Sequence, residues 1–303
     1  MPDVHLIALH TVNGAHERGE RFAGLIDAAD AYLANGIVER IAGAGGSVAA
    51  IVEPALDGAE IDDDQIVNLG RINAKIAAGV VAAVDAAAAP VLLGGTCSHL
   101  IGMVAGFQQA YGPDARIGLL WLDAHGDFNT PRTSYSGMLG GMPVAVTAGL
   151  CFPVWRELAG QRAPLPTNRI VMVDVRNLDD REEVLIRATD VTVARFGDDF
   201  DPAPVDTAID RLAADCDWIY VHVDADILDA SLQPNHPTAE PNGPDLQTVI
   251  HVLDHAFATG KACGFGVVSV NPHGDKGLVS LQSGTEMVVA GTKAWLTNRE
   301  RGV

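Results

Sequence analysis

The chain has 303 residues, 48% of them hydrophobic and 19% charged, and 20 Lys+Arg against 39 Asp+Glu gives 20 − 39 = −19. That apolar fraction excludes disorder, and at roughly 100–200 residues per domain the length admits one large α/β domain, read here as residues 1–303. The acidic excess argues against nucleic acid and anionic membranes as partners, and no run of about 20 uninterrupted apolar residues suggests a bilayer span.

In chain order, the opening residues lack the basic region and apolar core of a signal peptide and run into a first strand at residues 4–9. A second strand is predicted at 47–52, followed by the clearest helix, 64–88. There Ile66, Leu69, Ile76, Val80 and Val84 recur at steps of three and four or their sums. The acidic run Asp62-Asp63-Asp64 before it reads as a helix cap, because exposed N–H groups favour carboxylates. Further strands are predicted at 90–93, 116–122, 169–175, 191–195, 218–223 and 264–270. Apolar strands alternating with helices predict a three-layer α/β/α fold with about eight parallel strands and helices on both faces. Cys97, Cys151, Cys216 and Cys263 are scattered without a CxxC, which predicts reduced thiols and a cytoplasmic location.

Ligands bind beyond the carboxyl ends of such strands, and two acidic motifs stand there. Trp121-Leu122-Asp123-Ala124-His125-Gly126-Asp127 follows the strand at 116–122. Asp123, His125 and Asp127 at i, i+2 and i+4 project to one side while the backbone stays extended. Tyr220-Val221-His222-Val223-Asp224-Ala225-Asp226 repeats the arrangement with two carboxylates. Asp123, Asp127, Asp224 and Asp226 together carry the −4 that balances two divalent cations, and crowded carboxylates of this kind stay ionised only with cations present. Such a pair of ions ionises water and supports hydrolysis.

Asp-Ala-His-x-Asp followed by Asp-x-Asp, in this order and chain size, resembles the arginase/agmatinase ureohydrolases. Leu93-Gly94-Gly95-Thr96-Cys97-Ser98 stands where that family has Gly-Gly-Asp-His-Ser. Asn129-Thr130-Pro131, Ser136-Gly137 and Val270-Asn271-Pro272 extend the likeness over most of the chain. The resemblance implies a two-metal site, usually Mn²⁺, bridged by Asp123 and Asp224. His125 and Asp226 would hold one ion, and Asp127 with the residue at position 97 the other. It also implies that a hydroxide bridging the ions, oriented by Asp127, attacks a guanidinium carbon to give urea and an amine. Trimers or hexamers of identical subunits are implied as well.

The sequence departs from that family at the chemistry. Cys97 replaces a metal-binding His, and a thiolate ligand shifts preference toward Zn²⁺, Fe²⁺ or Ni²⁺. His99, two residues on, is expected inside the next helix and pointing elsewhere. Gly140 replaces a proton-shuttling His, for which His273 is the candidate substitute as general acid. Ser269 replaces the Glu that anchors the guanidinium. Arg176 stands where arginases have a carboxylate for the substrate's amino group, whereas Asn129 and Ser136, which hold the substrate carboxylate, remain. His222 is read as an ordinary buried histidine in preference to a partner of a ligand carboxylate. His236 and Glu240 fall in a Pro-rich loop over the expected site, as pocket lining or as solvated loop.

These residues predict a metal-dependent amidinohydrolase acting on a small arginine-like guanidino or N-hydroxyguanidino compound. The Cys at the His position is similar to the hydroxyarginine-hydrolysing branch of the family. The alternatives are a non-catalytic partner subunit that has lost arginase activity, and a formimidoyl or amide hydrolase using the same site.

Overall fold

The computed structural model describes residues 3–11 and 22–299; Met1 and Pro2, part of the strand-like opening, lie outside the described residues. Strands and helices alternate as the sequence predicts: β1 (Asp3–Leu9), α1 (Ala28–Ala34), α2 (Ile37–Gly43), β2 (Ser47–Val52), α3 (Gln65–Asp85), β3 (Ala89–Gly94), α4 (Leu100–Tyr111) and β4 (Ile117–Leu122). The second half continues with α5 (Pro143–Thr147), α6 (Pro153–Leu158), β5 (Ile170–Val173), α7 (Asp180–Arg187), β6 (Thr192–Ala194), α8 (Ala203–Asp215), β7 (Trp218–Asp224), α9 (Leu246–Ala258), β8 (Ala262–Val268) and α10 (Gly277–Arg299). The strands form one parallel sheet in the order β2-β1-β3-β8-β7-β4-β5-β6.

Because side chains alternate across a strand, each strand feeds both faces of the sheet. Leu93, Leu120, Leu122, Val221 and Val223 pack in one core with Val205 and Ile209 of α8 and Val249 and Leu253 of α9. Leu92, Leu119 and Trp121 pack in the other with Leu69, Ile76 and Val80 of α3 and Ile101 and Val104 of α4. The result is the three-layer α/β/α arrangement.

Helix α3 begins at Asp64, whose carboxylate accepts from the Ile66 N–H at 2.8 Å, so the acidic run before it is indeed a cap. Helix α3 is long and apolar enough by length and composition to cross a membrane, although Arg71 and Lys75 interrupt it and no uninterrupted apolar run of about 20 residues is present in it. In the fold it is a core helix, its apolar stripe buried on α4 and the sheet while Arg71 and Lys75 reach Asp62 and Glu60 on the outside.

The α3–α4 approach depends on two glycines. A Cβ at Gly106 would lie 2.5 Å from the Val80 Cβ and 2.8 Å from the Ala77 carbonyl oxygen, and one at Gly102 would lie 2.6 Å from the Asn73 carbonyl oxygen. Both contacts involve atoms fixed to the helix backbone, so the helices must separate to admit a side chain. Gly106→Ala should therefore lower stability by about 1–3 kcal/mol despite alanine's better helix propensity. A thermal melt at or above the wild-type midpoint would contradict this.

Candidate metal centre

Strands β3, β8, β7 and β4 are neighbours at the middle of the sheet. Their carboxyl ends therefore deliver Cys97, Ser269, Asp224 with Asp226, and Asp123 with His125 to one place. Backbone strain concentrates there: Asp127 and Ser269 take left-handed φ values of 45° and 63° without being glycine. Above them lies a cavity of about 200 Å³, lined by these residues together with Asp127, Asn129, Ser136, His236 and Glu182.

Three overlapping groups of metal-ligating atoms surround the cavity, each with all its atoms within 4.8 Å of one another: Cys97–Asp123–Asp224, Asp123–His125–Asp226 and Asp224–Asp226–His236. The Cys97 Sγ is 2.9 Å from Asp224 Oδ2 and 3.6 Å from Asp123 Oδ2. The His125 Nδ1 is 3.1 Å from Asp226 Oδ2 and 3.4 Å from Asp123 Oδ1. Backbone donors fix the carboxylates: the His125 N–H reaches Asp123 Oδ1 at 2.6 Å, and the Asp226 N–H reaches Asp224 Oδ1 at 3.0 Å. Asp127 is buried and lines the same cavity, but belongs to none of the three groups.

Burying this much negative charge perturbs Asp123, Asp127, His125, Asp226 and Cys97. Burial, reinforced by Asp226, Asp224 and Asp127, pushes the Asp123 carboxyl well above the usual carboxylate range. Burial likewise raises Asp127, although His125 opposes it. Burial works against protonated His125 as well, but Asp226 and Asp123 outweigh it and push the imidazole up to about 12. Burial pushes Asp226 up, but the His125 and His236 imidazolium charges and the hydrogen bond from His125 hold its carboxyl below the ordinary range. The Cys97 thiol is driven up by burial and then by Asp224 and Asp123. Without cations the cluster therefore retains protons on some of its acids. Oxygen, nitrogen and sulfur donors arranged around an excess of buried negative charge fit a pair of divalent cations.

Supporting contacts explain the flanking histidines. His222 is fully buried and stacked on Trp121, with ring centroids 4.3 Å apart, and burial lowers its pKa to about 3. Its Nδ1 lies 3.1 Å from the Tyr220 hydroxyl and its Nε2 3.4 Å from Cys97 Sγ. The proton arrangement that satisfies these contacts has Tyr220 donating to Nδ1 and Nε2–H donating to sulfur. It thus supports Cys97 and makes no hydrogen bond to a carboxylate. His99 is buried and turned back to the Thr96 N–H, away from the cavity as expected.

His236 belongs to the centre. The Thr238 N–H donates to its Nδ1 at 3.1 Å, while the Thr238 hydroxyl donates to Asp226 Oδ2 at 3.0 Å. With the Nδ1 lone pair occupied, the ring hydrogen sits on Nε2. That atom is buried, 3.3 Å from Asp224 Oδ1, without the alignment of a hydrogen bond. Glu240, in the same loop, lies 3.5 Å from His125 Nε2 and accepts from the Asn177 side chain.

Two sequence assignments need correction. Arg176 is not among the residues lining the cavity: its side chain is only 12% exposed, and its guanidinium donates to the carbonyls of Asp226, Ile227, Leu228, Glu240 and Pro241 and to the Asp174 carboxylate. It staples the loop after β7 and is not free to receive a substrate anion. His273 is also outside the cavity lining; its exposed Nε2 pairs with Asp27 at 2.7 Å, so the geometry removes it as a general acid.

The remaining substrate-side candidates line the cavity. Asn129 is buried and donates to Asp179 at 3.1 Å, Ser136 is exposed at the rim, and the Ser269 hydroxyl donates to Asp224 Oδ2 at 2.6 Å. Sequence reasoning passed over Asp179 and Glu182, which also line it. Glu182 is buried, accepts from the Phe128 N–H at 2.8 Å, and is pushed up to about 7 by burial. The available signal was Asp179-x-x-Glu182, a capping box that the structure contains at the start of α7.

Comparison with known proteins agrees with this geometry. The Arginase family model matches residues 42–291. The chain is 33% identical over 184 residues to an arginase of Bacillus caldovelox, covering 58% of this chain and 60% of that one. It is 28% identical over 246 residues to an arginase of Bacillus subtilis (strain 168), covering 78% and 81%. A crystal structure of arginase from Bacillus subtilis subsp. subtilis str. 168 superposes with a TM-score of 0.82 at 25% identity, covering 96% of this chain and 98% of that one. On the family match, the sheet topology and the clusters at its carboxyl edge, the chain belongs to the arginase family, hydrolases acting on C–N bonds.

Proposed function

We propose that this chain hydrolyses a small, arginine-like N-hydroxyguanidino compound to hydroxyurea and an amine, with a plain guanidino compound, which would give urea, as a poorer substrate. The observation that carries the reading is the meeting of Cys97, Asp123, His125, Asp224 and Asp226 beneath one cavity. Cys97, Asp123, Asp127 and Asp224 would hold one divalent cation, and Asp123, His125, Asp224 and Asp226 the other. Mn²⁺ is the expected metal, and the Cys97 sulfur tilts the preference toward Zn²⁺, Fe²⁺ or Ni²⁺. Bound there, two such cations supply the Lewis acidity that lowers the pKa of water and polarises an amidine.

The protein's own groups set the substrate. At the head of the cavity the Ser269 hydroxyl, standing where the guanidinium anchor is expected, is spent on Asp224. His236 also lines this wall, its ring N–H on Nε2 lying 3.3 Å from Asp224 Oδ1. A donor in that wall suits a head group that carries an acceptor, as the oxygen of an N-hydroxyguanidine does. Toward the rim, Asn129 and Ser136 offer hydrogen bonds to a carboxylate, and Asp179 offers an anion for an amino group. Asp127 stays as the buried carboxylate that orients the attacking water. Family membership and the free thiols of all four cysteines support a homo-oligomeric, cytoplasmic enzyme.

The test is a urea and hydroxyurea assay of the manganese-loaded chain over N-hydroxyarginine, arginine, agmatine and guanidinobutyrate. N-hydroxyarginine should exceed arginine in kcat/KM by at least about tenfold, the worth of one well-placed hydrogen bond. Faster turnover of arginine overturns the head-group assignment, and metal-loaded protein inert toward all four overturns the hydrolase reading. His236→Ala should lower kcat/KM for N-hydroxyarginine about tenfold or more while changing that for arginine by less than about threefold. Equal losses for both would show that His236 acts on the fold and not on the head group.

A further inference from the structure

A second cluster of metal-ligating side chains lies on the outer helical layer and takes no part in the cavity. Asp206 and Asp210 are four residues apart on α8, and His251 and His255 are four apart on α9. That spacing stacks each pair one turn apart on one helix face, and the two faces meet. The His251 Nε2 lies 2.9 Å and 3.2 Å from the two carboxylate oxygens of Asp206. The His255 Nε2 lies 2.9 Å from Asp210 Oδ1, while its Nδ1 faces Asp206 Oδ1 at 3.8 Å. The two imidazole rings are nearly parallel, 18° apart with centroids 6.3 Å apart. One ligand atom each from Asp206, His251 and His255 lies within 4.8 Å of the others.

We infer that Asp206, His251 and His255 form a surface binding site for a borderline divalent cation of the Zn²⁺ class, with Asp210 orienting His255. A neutral imidazole has one donor and one lone pair. When Nε2–H of His255 donates to Asp210, the Nδ1 lone pair faces a carboxylate lone pair on Asp206, and a cation between them turns that repulsion into two bonds. The Asp210 contact is the carboxylate–histidine arrangement that fixes the tautomer of a metal-binding imidazole. Two nitrogens and one oxygen select Zn²⁺, Ni²⁺ or Cu²⁺ over Mg²⁺ and Ca²⁺, which prefer all-oxygen sites. Side-chain exposures of 21% for Asp206, 28% for His255 and 47% for His251 leave the position open to a hydrated ion, with water completing its shell. As a pair of exposed ion pairs alone the cluster would be worth little, about 0–1 kcal/mol each.

The experiment is a zinc titration of the full chain by calorimetry, comparing wild type with the His251→Ala/His255→Ala double variant and with Asp224→Asn. The double variant should bind one equivalent fewer than wild type, and the zinc-induced rise in melting temperature should shrink accordingly. Asp224→Asn, in the cavity cluster, should keep that equivalent, so the surface site is scored whether or not the cavity holds metal. Alanine at these exposed helix positions preserves the helix, which circular dichroism without zinc checks. Identical stoichiometry and affinity in wild type and double variant would overturn the inference and leave only ion pairs.

Discussion

Replacing Asp123 with Asn should abolish turnover while making the metal-free protein more stable. Asp123 belongs to both the Cys97 and the His125 ligand groups, and burial with three neighbouring carboxylates drives its own carboxyl far above the usual range. An amide keeps the acceptor for the His125 N–H but contributes no charge for a cation. The loss of metal affinity should exceed the roughly 10–100-fold typical of residues that merely support a ligand. In the absence of metal the same change relieves repulsion, so the melting temperature should rise by a few degrees. Metal addition, which stabilises wild type by mass action, should then have little effect on the variant. A purely structural Asp123 would give the opposite pattern: a less stable variant that still binds metal. Calorimetric metal titrations and melts of the two proteins, with and without manganese, decide between these outcomes.

The second large effect is a pH dependence with an unusual sign. In the metal-free chain Asp123 and Asp127 hold their protons to higher pH than they do when unfolded, and Glu182 titrates near 7 instead of near its ordinary 4.5. The folded state thus binds more protons than the unfolded state above the unfolded carboxylate range, and stability falls as pH rises. Glu182 alone contributes a loss of roughly 3 kcal/mol between its ordinary value and about pH 8. His125, raised to about 12, adds to the decline above its ordinary 6.5. Three groups act the other way: Asp226 only in acid, below its ordinary 3.8, and His99 and His222, lowered by burial to about 4 and about 3, as pH rises toward their ordinary 6.5. Above the ordinary histidine range only the declining groups remain, so the chelator-treated protein should melt higher at about pH 6.5 than at about pH 8.5, and the stabilisation by added manganese should widen over the same interval. A metal-free melting temperature that is level or rising across that interval would show that the carboxylates are not crowded as described.

The fold was legible because each strand is an apolar run buried on both faces, and the helical period of α3 is plain in Ile66, Leu69, Ile76 and Val80. The acidic cluster was legible because an extended strand end throws i and i+2 to one side and the parallel sheet aligns the ends of β4 and β7 side by side, whereas Asp127, at i+4, reaches the cavity through a left-handed turn. Proximity in sequence served less well for side chains beyond those ends. Arg176 follows β5 as Asp123 follows β4, yet its guanidinium is consumed by loop carbonyls, a contact set by chain segments some 50 to 65 residues away. His273 follows the last strand closely, but the chain has already turned outward toward Asp27. His236 gained its place only through Thr238, which fixes its tautomer, and no local pattern announces that pairing. Asp179 and Glu182 were hidden by a plainer role, since the capping box they form would exist with or without a cavity beneath it.

The most direct measurement is the anomalous scattering of a crystal of the full chain grown with manganese. Two peaks about 3.5–4 Å apart, between the carboxyl ends of β4 and β7 and flanked by Asp123 and Asp224, are the predicted result. A density map in which those two carboxylates bind each other's neighbours and no manganese appears between them would contradict the account.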